Sequence, residues 1–281
     1  MNDAAPPRRI WLCADDYGLS PGVNRGIRDL VERGRLNATS VMVVGPAIGR
    51  DEISALQDAV ANSPGCAIGL HVTLTAPFRP LTMHFQPLNG GMFLEFSKLL
   101  RAGLLRRLDP EIVGAELAVQ LSAFRELFGR APDFVDGHQH AQLFPGVRDA
   151  FLKAVKTAAP DAWVRQGGRH QPLARRLGAP KELIIDALSA QFRRRATRAE
   201  IAFNPGFAGA YDWTQQRDFG ALMRQFLDGL PEGGLIMCHP GFVDETLVSL
   251  DPFTTQREHE HAFLGGEHFL RLLAANKVTL R

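Results

Sequence analysis

Residues Ile10–Gly22 read IWLCADDYGLSPG and combine a strand signal with a helix-start signal. The apolar half is rich in strand-forming residues and stops at the paired carboxylates Asp15 and Asp16. Ser20 before Pro21 is typical of a helix start, because serine caps free N–H groups and proline needs no hydrogen bond there. The order is therefore strand, acidic turn, helix. Either the acids only cap the helix, or one binds a cation while the other moves a proton.

Composition bounds the class of protein. A chain of 281 residues, 45% of them hydrophobic, can bury a large core, and we expect one domain over residues 1–281. No stretch approaches bilayer-spanning length and the N-terminus has no apolar signal core, so we expect a cytoplasmic protein. Three cysteines without CxxC spacing argue against a disulfide framework or a thiolate metal site. The net charge of +2 is too small to indicate by itself that the protein binds nucleic acid.

Apolar strand-like runs alternate with amphipathic helical runs along the chain. After the first strand, the runs that predict strands are Ala38–Val44, Ala67–Leu74, Phe134–Asp136, Trp163–Gln166, Leu235–Cys238 and Lys277–Leu280. Repeated βα units favour a mainly parallel sheet that closes, or nearly closes, into a distorted (β/α) barrel. Residues 75–107, Pro- and Gly-rich at first and then apolar and basic, predict an inserted active-site loop or lid.

Histidines fall at or near the ends of three later predicted strands. His71 lies in an apolar strand, where a lone histidine is more often a core residue than a ligand. His138 and His140 are two apart, which on extended backbone turns both side chains the same way. His239 follows the strand Leu235–Cys238. Parallel topology gathers these histidines and the Asp pair at one rim, where two imidazoles and one carboxylate suffice to bind a catalytic divalent metal.

Four motifs occur in the order of a known family between about Ile10 and Asp244. They are ADDYGLS, GLHVTLT, DGHQH followed by FP, and CHPGF. The chain resembles the YdjC/ChbG family of carbohydrate deacetylases, within the polysaccharide-deacetylase group. The resemblance implies a distorted (β/α) barrel and hydrolysis of an N-acetyl group on an amino sugar. The loop Met83–Phe96 and the DGHQH variant are most similar to the branch associated with hopanoid biosynthesis, which implies an N-acetylglucosaminyl hopanoid as substrate.

The resemblance also implies residue roles. Asp16, His71 and His138 would hold one divalent metal ion, zinc or magnesium. Asp15 would be the general base and His239 the general acid. The chain departs from the family at residue 142, where a glutamine stands in place of a common further histidine and cannot carry a proton at neutral pH.

Three more residues are expected to bind substrate or to orient the groups that do. They are His140, Asp244 and Arg165. Asp244, five residues after His239, either holds that imidazole in the right tautomer or is a solvated loop residue. The charged run Glu258–His261 reads as a solvated helix face.

A non-catalytic protein that binds a sugar or a membrane surface is the alternative. Its basis is the basic segment between Arg165 and Arg198, in which the other arginines are Arg169, Arg175, Arg176, Arg193, Arg194 and Arg195. These arginines either contact phosphates or form an exposed basic face. No recognition helix or aromatic stacking motif accompanies them, so we expect no nucleic-acid partner. A peripheral contact with lipid headgroups suits a glycolipid substrate, and a homodimer is a further expectation.

Overall fold

The fold alternates parallel strands with helices. The computed structural model describes residues 6–170, 180–215 and 217–280. The strands are β1 (Arg8–Tyr17), β2 (Ala38–Val41), β3 (Ala67–Val72), β4 (Phe134–Gly137), β5 (Trp163–Val164), β6 (Phe207–Ala208), β7 (Leu235–Cys238) and β8 (Val278–Leu280). The helices are α1 (Pro21–Glu32), α2 (Arg50–Ala61), α3 (Phe96–Leu104), α4 (Pro110–Phe128), α5 (Arg148–Ala158), α6 (Pro180–Arg198), α7 (Phe219–Leu227), α8 (Glu245–Leu250), α9 (Thr255–Gly265) and α10 (Glu267–Ala275).

The strands form one curled parallel sheet. Their order is β5-β4-β3-β2-β1-β7-β6, and β8 pairs with the first residues of β1. The two edges approach each other, because parallel bridges join Val164 to Phe203 and Arg169 to Phe207. The predicted distorted barrel of mainly parallel strands is therefore confirmed. None of the helices in the described part of the chain combines the length and the apolar content that crossing a membrane requires.

Local capping explains where the clearest helices begin and end. Ser20 caps α1 by accepting from the backbone N–H of Val23, as the sequence predicted. Asp109 caps α4 in the same way, and Gly129 ends that helix in a left-handed conformation at φ 68°. These helices pack their apolar faces on the sheet, which leaves the carboxyl ends of the strands free to carry polar side chains.

The paired carboxylates lie inside β1 rather than in a turn after it. The strand continues to Tyr17, and its register with β2 shifts between Ala14 and Tyr17. Asp16 has a left-handed backbone at φ 71°. Consecutive strand residues normally point to opposite faces, and this bulge removes that alternation. Asp15 and Asp16 are consequently both buried, and Asp16 approaches His71 while Asp15 approaches His239.

The expected extended backbone at His138 and His140 is wrong. Strand β4 ends at Gly137, and residues His138–Leu143 form a 3₁₀ turn. Gln139 and His140 adopt left-handed conformations, at φ 53° and 58°. The two histidine side chains therefore leave the chain in different directions.

Helix α4 holds the start of the segment that follows β3. The buried Glu116 accepts from the backbone N–H groups of Leu81 and Thr82 at 3.0 and 2.9 Å, and Gln120 bonds both backbone groups of Thr73. Phe78, in the same segment, packs edge-on against His138 with ring centroids 5.8 Å apart. The segment is thereby fixed against the site, while its action as a lid stays a prediction.

Candidate active site

Strands β1, β3 and β4 bring three potential ligands together at their carboxyl ends. Oδ1 of Asp16 lies 3.4 Å from Nε2 of His71 and 3.2 Å from Nδ1 of His138. One ligand atom from each of the three residues lies within 4.8 Å of the others. Parallel topology and the family resemblance predicted this convergence, although Asp16 and His138 lie on a different local backbone from the one expected.

The chemistry of this group fits a bound cation. Oδ1 of Asp16 is buried and has no hydrogen-bond partner of normal geometry among the described residues. The Nδ1–H of His71 is directed at Asp136, 2.6 Å away, so in a neutral ring Nε2 turns a lone pair toward Asp16. Burial lowers the pKa of His71, but Asp136 and Asp15 outweigh it and raise that pKa to about 10. The site thus attracts positive charge, either a proton or a metal ion.

Asp15 is held in place by Arg165. Both carboxylate oxygens accept from the guanidinium at 2.7 Å, and Ser40 donates to Oδ1 at 3.1 Å. Burial raises the pKa of Asp15, but Arg165 outweighs it and holds that pKa well below its ordinary value. Arg165 is fully buried, so it belongs to the site rather than to an exposed basic face.

Asp136 is a site residue that the sequence interpretation did not single out. It hydrogen-bonds His71, and its Oδ2 forms a salt bridge with Nη2 of Arg165 at 3.0 Å. Gln142 then fixes the backbone of Arg165 by donating to its carbonyl at 3.1 Å. The available signal was its position, since Asp136 precedes His138 by two residues and stands opposite His71 in the sheet register.

Helix α9 contributes two more buried groups. Nη2 of Arg257 donates to Oδ2 of Asp16 at 2.7 Å. Glu260 accepts from the backbone N–H of His239 and from the hydroxyl of Tyr211, both at 2.6 Å. The expectation of a solvated helix face over 258–261 is therefore wrong for Glu260, which is buried. It holds for the exposed positions 258 and 259. Burial raises the pKa of Glu260 to about 7 despite its two hydrogen-bond donors.

His239 follows β7, which pairs with β1 on the side opposite β2, and lies beside Asp15. Its Nε2 is 3.8 Å from Oδ2 of Asp15, and its ring packs edge-on against Trp213 at 4.5 Å. Burial lowers the pKa of His239 to about 4, although Asp16 and Asp15 oppose that shift. The imidazole is accordingly neutral near pH 7.

Asp244 does not orient His239. Its carboxylate caps α8 through the N–H of Leu247 at 2.8 Å and also accepts from the N–H of Gly22. This residue instead ties the start of α1 to the loop after β7.

His140 is near the site but outside the group of three potential ligands. Its ring packs edge-on against Phe207, with centroids 5.5 Å apart. Burial and the neighbouring Arg165 lower the pKa of His140 to about 3. A role for this residue in substrate binding stays a prediction.

Much of the predicted basic segment is paired within the protein. Arg169 forms a salt bridge with Asp186 at 2.8 Å, and Arg195 forms one with Asp149 at 3.1 Å. Arg193 donates to Gln166 at 2.9 Å, whereas positions 194 and 198 are exposed. The predicted contacts at positions 175 and 176 lie outside the described residues.

Comparison with known proteins identifies the family. A family model described as YdjC-like protein matches residues 9–275. The chain belongs to the YdjC-like family. A chitooligosaccharide deacetylase of Escherichia fergusonii is 30% identical over 254 residues, which cover 85% of this chain and 84% of that protein.

Solved structures of low sequence identity share the fold of this YdjC-like chain. A putative cellobiose-phosphate cleavage protein of Enterococcus faecalis superposes with a TM-score of 0.76 at 19% identity, covering 98% of this chain and 97% of that one. A lactam utilization protein of Thermus thermophilus gives 0.50 at 16% identity, covering 97% and 99%.

Proposed function

We propose that the protein is a metal-dependent hydrolase that removes an N-acetyl group from an amino sugar. The observation that carries the proposal is that His71 and His138 approach a buried carboxylate oxygen of Asp16 that accepts no hydrogen bond from any residue the structure describes, with Asp15 and His239 beside them. The name of the Escherichia fergusonii relative supports the reaction class. Two imidazoles and a carboxylate suit zinc, and the resemblance leaves magnesium as the other candidate.

The three ligands would hold the ion, and Asp15 and His239 would move the protons. A divalent ion bound there supplies Lewis acidity, which polarises the amide carbonyl and lowers the pKa of a bound water. Asp15, ionised and oriented by Arg165, accepts the water proton at Oδ2 as the new C–O bond forms. His239 is neutral near pH 7, so it must take up a proton before it can act as the acid. It accepts that proton from Oδ2 of Asp15, 3.8 Å away, and passes it to the amine nitrogen as the C–N bond breaks.

The finer substrate assignment rests on the resemblance alone. An N-acetylglucosaminyl hopanoid would present a lipid aglycone, for which a peripheral contact with lipid headgroups is proposed. A soluble chitooligosaccharide would need no such contact. A homodimer is also proposed for this protein, and gel filtration with light scattering tests it.

An acetate-release assay tests the function. Protein supplied with zinc or magnesium is expected to release acetate from a chitooligosaccharide or from an N-acetylglucosaminyl hopanoid, and a chelator is expected to stop release. Asp15→Asn should lower the rate about 10²- to 10⁴-fold while the protein still binds the ion, because Asp15 is not among the ligands. Asp149→Asn, on the outer helix α5, is the control. Sugar binding without turnover would favour the non-catalytic alternative, and full turnover by the Asp15→Asn protein would remove Asp15 from the mechanism.

A further inference from the structure

Arg257 is a buried guanidinium on α9 that contacts a proposed metal ligand and has no part in the mechanism above. Its side chain is 1% exposed. Nη2 donates to Oδ2 of Asp16 and to Oδ2 of Asp251, each at 2.7 Å, and Nε donates to the carbonyl of Phe253 at 3.3 Å. The ring of Trp213 lies 5.7 Å from the guanidinium carbon. Contacts on several sides hold the side chain in one position.

The contact with Arg257 makes the two oxygens of the Asp16 carboxylate different from each other. Oδ2 accepts a charge-assisted hydrogen bond, whereas Oδ1 faces His71 and His138 and has no donor within the described ranges of the chain. A carboxylate held in this way offers one oxygen to an ion. Zinc accepts one oxygen together with imidazole nitrogens. Calcium takes six to eight oxygen ligands and often uses both oxygens of a carboxylate.

We propose that Arg257 restricts Asp16 to a single ligand oxygen and so makes the site discriminate against calcium in favour of zinc. The inference rests on the proposed function, since it assumes that Asp16 binds the ion. Arg257 also repels any ion by its own positive charge. That repulsion is of similar size for two ions of equal charge, so it largely cancels in the ratio of their dissociation constants. The loss of one ligand oxygen does change this ratio of dissociation constants, because it weakens calcium binding more than zinc binding.

Metal affinities measured without substrate test this role. The Kd values of Zn²⁺ and Ca²⁺ are determined by chelator competition for the full-length protein and for Arg257→Met. The ratio of Kd for Ca²⁺ to Kd for Zn²⁺ is expected to fall about tenfold or more in Arg257→Met, because the freed Oδ2 gives Ca²⁺ a second oxygen ligand and gives Zn²⁺ little. Arg257→Lys should restore the ratio toward that of the unaltered protein, because an ammonium group also donates to Oδ2.

Further variants separate this role from a general effect on folding. Asp251→Asn, which keeps the contact between Arg257 and Asp16, should leave the ratio close to that of the unaltered protein. If Arg257→Met fails to fold by circular dichroism, Arg257→Gln replaces it, because glutamine keeps a polar group in the buried position. An unchanged ratio in the folded variant overturns this inference and leaves the proposed function standing. Failure of the unaltered protein to bind Zn²⁺, Mg²⁺ and Ca²⁺ alike overturns both.

Discussion

Two of the reactive side chains at the site, Asp15 and His71, are each held by a second residue. Arg165 holds Asp15 by two bonds, and Asp136 holds His71. Charged groups taken out of water need such partners, because burial without them disfavours the ionised form. The partners therefore keep the carboxylates ionised and the imidazole in one tautomer.

Replacing Asp136 tests how far His71 depends on its partner. Asp136→Asn keeps an acceptor for the Nδ1–H of His71 but removes the negative charge that makes the ring a stronger ligand. Metal affinity is expected to fall about 10- to 100-fold, measured by chelator competition. Asp133→Asn is the control, because Asp133 lies just before the same strand and bonds Ile68 and Arg130 instead. Equal affinities in the two variants would show that His71 does not need the carboxylate.

The sequence named the residues at the strand ends but not those that come from a distant helix. Asp15, Asp16 and His239 could be predicted because each follows or ends an apolar strand. Arg257 and Glu260 could not, because charged residues on a short helix usually face solvent. Only the docking of α9 shows that both are buried, and docking depends on contacts far apart in the chain.

At the level of elements, α1 packs directly on the loop that carries His239. A Cβ atom placed on Gly26 would lie 2.8 Å from Cα of Gly241, and the N–H of Phe242 donates to the carbonyl of Gly22 at 3.1 Å. No side chain fits between helix and loop at Gly26. The close approach therefore fixes the position of the residues that follow His239.

Gly26→Ala is expected to lower both stability and acetate release. The added methyl group forces the loop away from α1, and such overpacking costs about 1–3 kcal/mol. Urea unfolding and the acetate-release assay measure the two effects. Gly114→Ala on α4 is the matched control: nothing lies within 4 Å of its Cβ position, so it should stabilise the protein by about 0.5–1 kcal/mol. Equal stability changes in the two variants would contradict the packing argument.

Helix ends were predictable, whereas two backbone irregularities were not. Capping residues such as Ser20 and Asp109 act through neighbouring N–H groups, so local sequence is enough to recognise them. The bulge at Asp16 depends on pairing with β2, and the turn at His138 depends on how β4 meets the segment after it. Neither is encoded by composition alone, which is why the sequence predicted a turn in one place and extended backbone in the other.

At the scale of the whole molecule, Glu260 makes stability depend on pH. Burial raises its pKa from 4.5 to about 7 in the folded protein. Between these values the unfolded chain has lost the proton that the folded protein still holds, so the contribution of Glu260 to stability decreases as pH rises from about 4.5 to 7.

His239 and His140, whose pKa values burial lowers to about 4 and about 3, make stability rise with pH over part of the same range. The contribution of Glu260 is therefore measured as the difference in urea midpoint between the unaltered protein and Glu260→Gln, which is expected to shrink as pH rises from about 4.5 to 7 because glutamine does not titrate. Glu258→Gln, on an exposed position of the same helix, should leave the pH dependence as it is. A Glu260→Gln protein with an unaltered pH profile would assign the dependence to other groups.

The contact between Asp16 and Arg257 joins residues 241 positions apart. A ribosome releases the first strand long before it has made α9, so the nascent chain carries Asp16 for most of synthesis without its arginine. The proposed ion site would therefore be complete only after the last helices emerge and dock. Folding intermediates that lack them would bind metal ions with poorer selectivity than the finished protein.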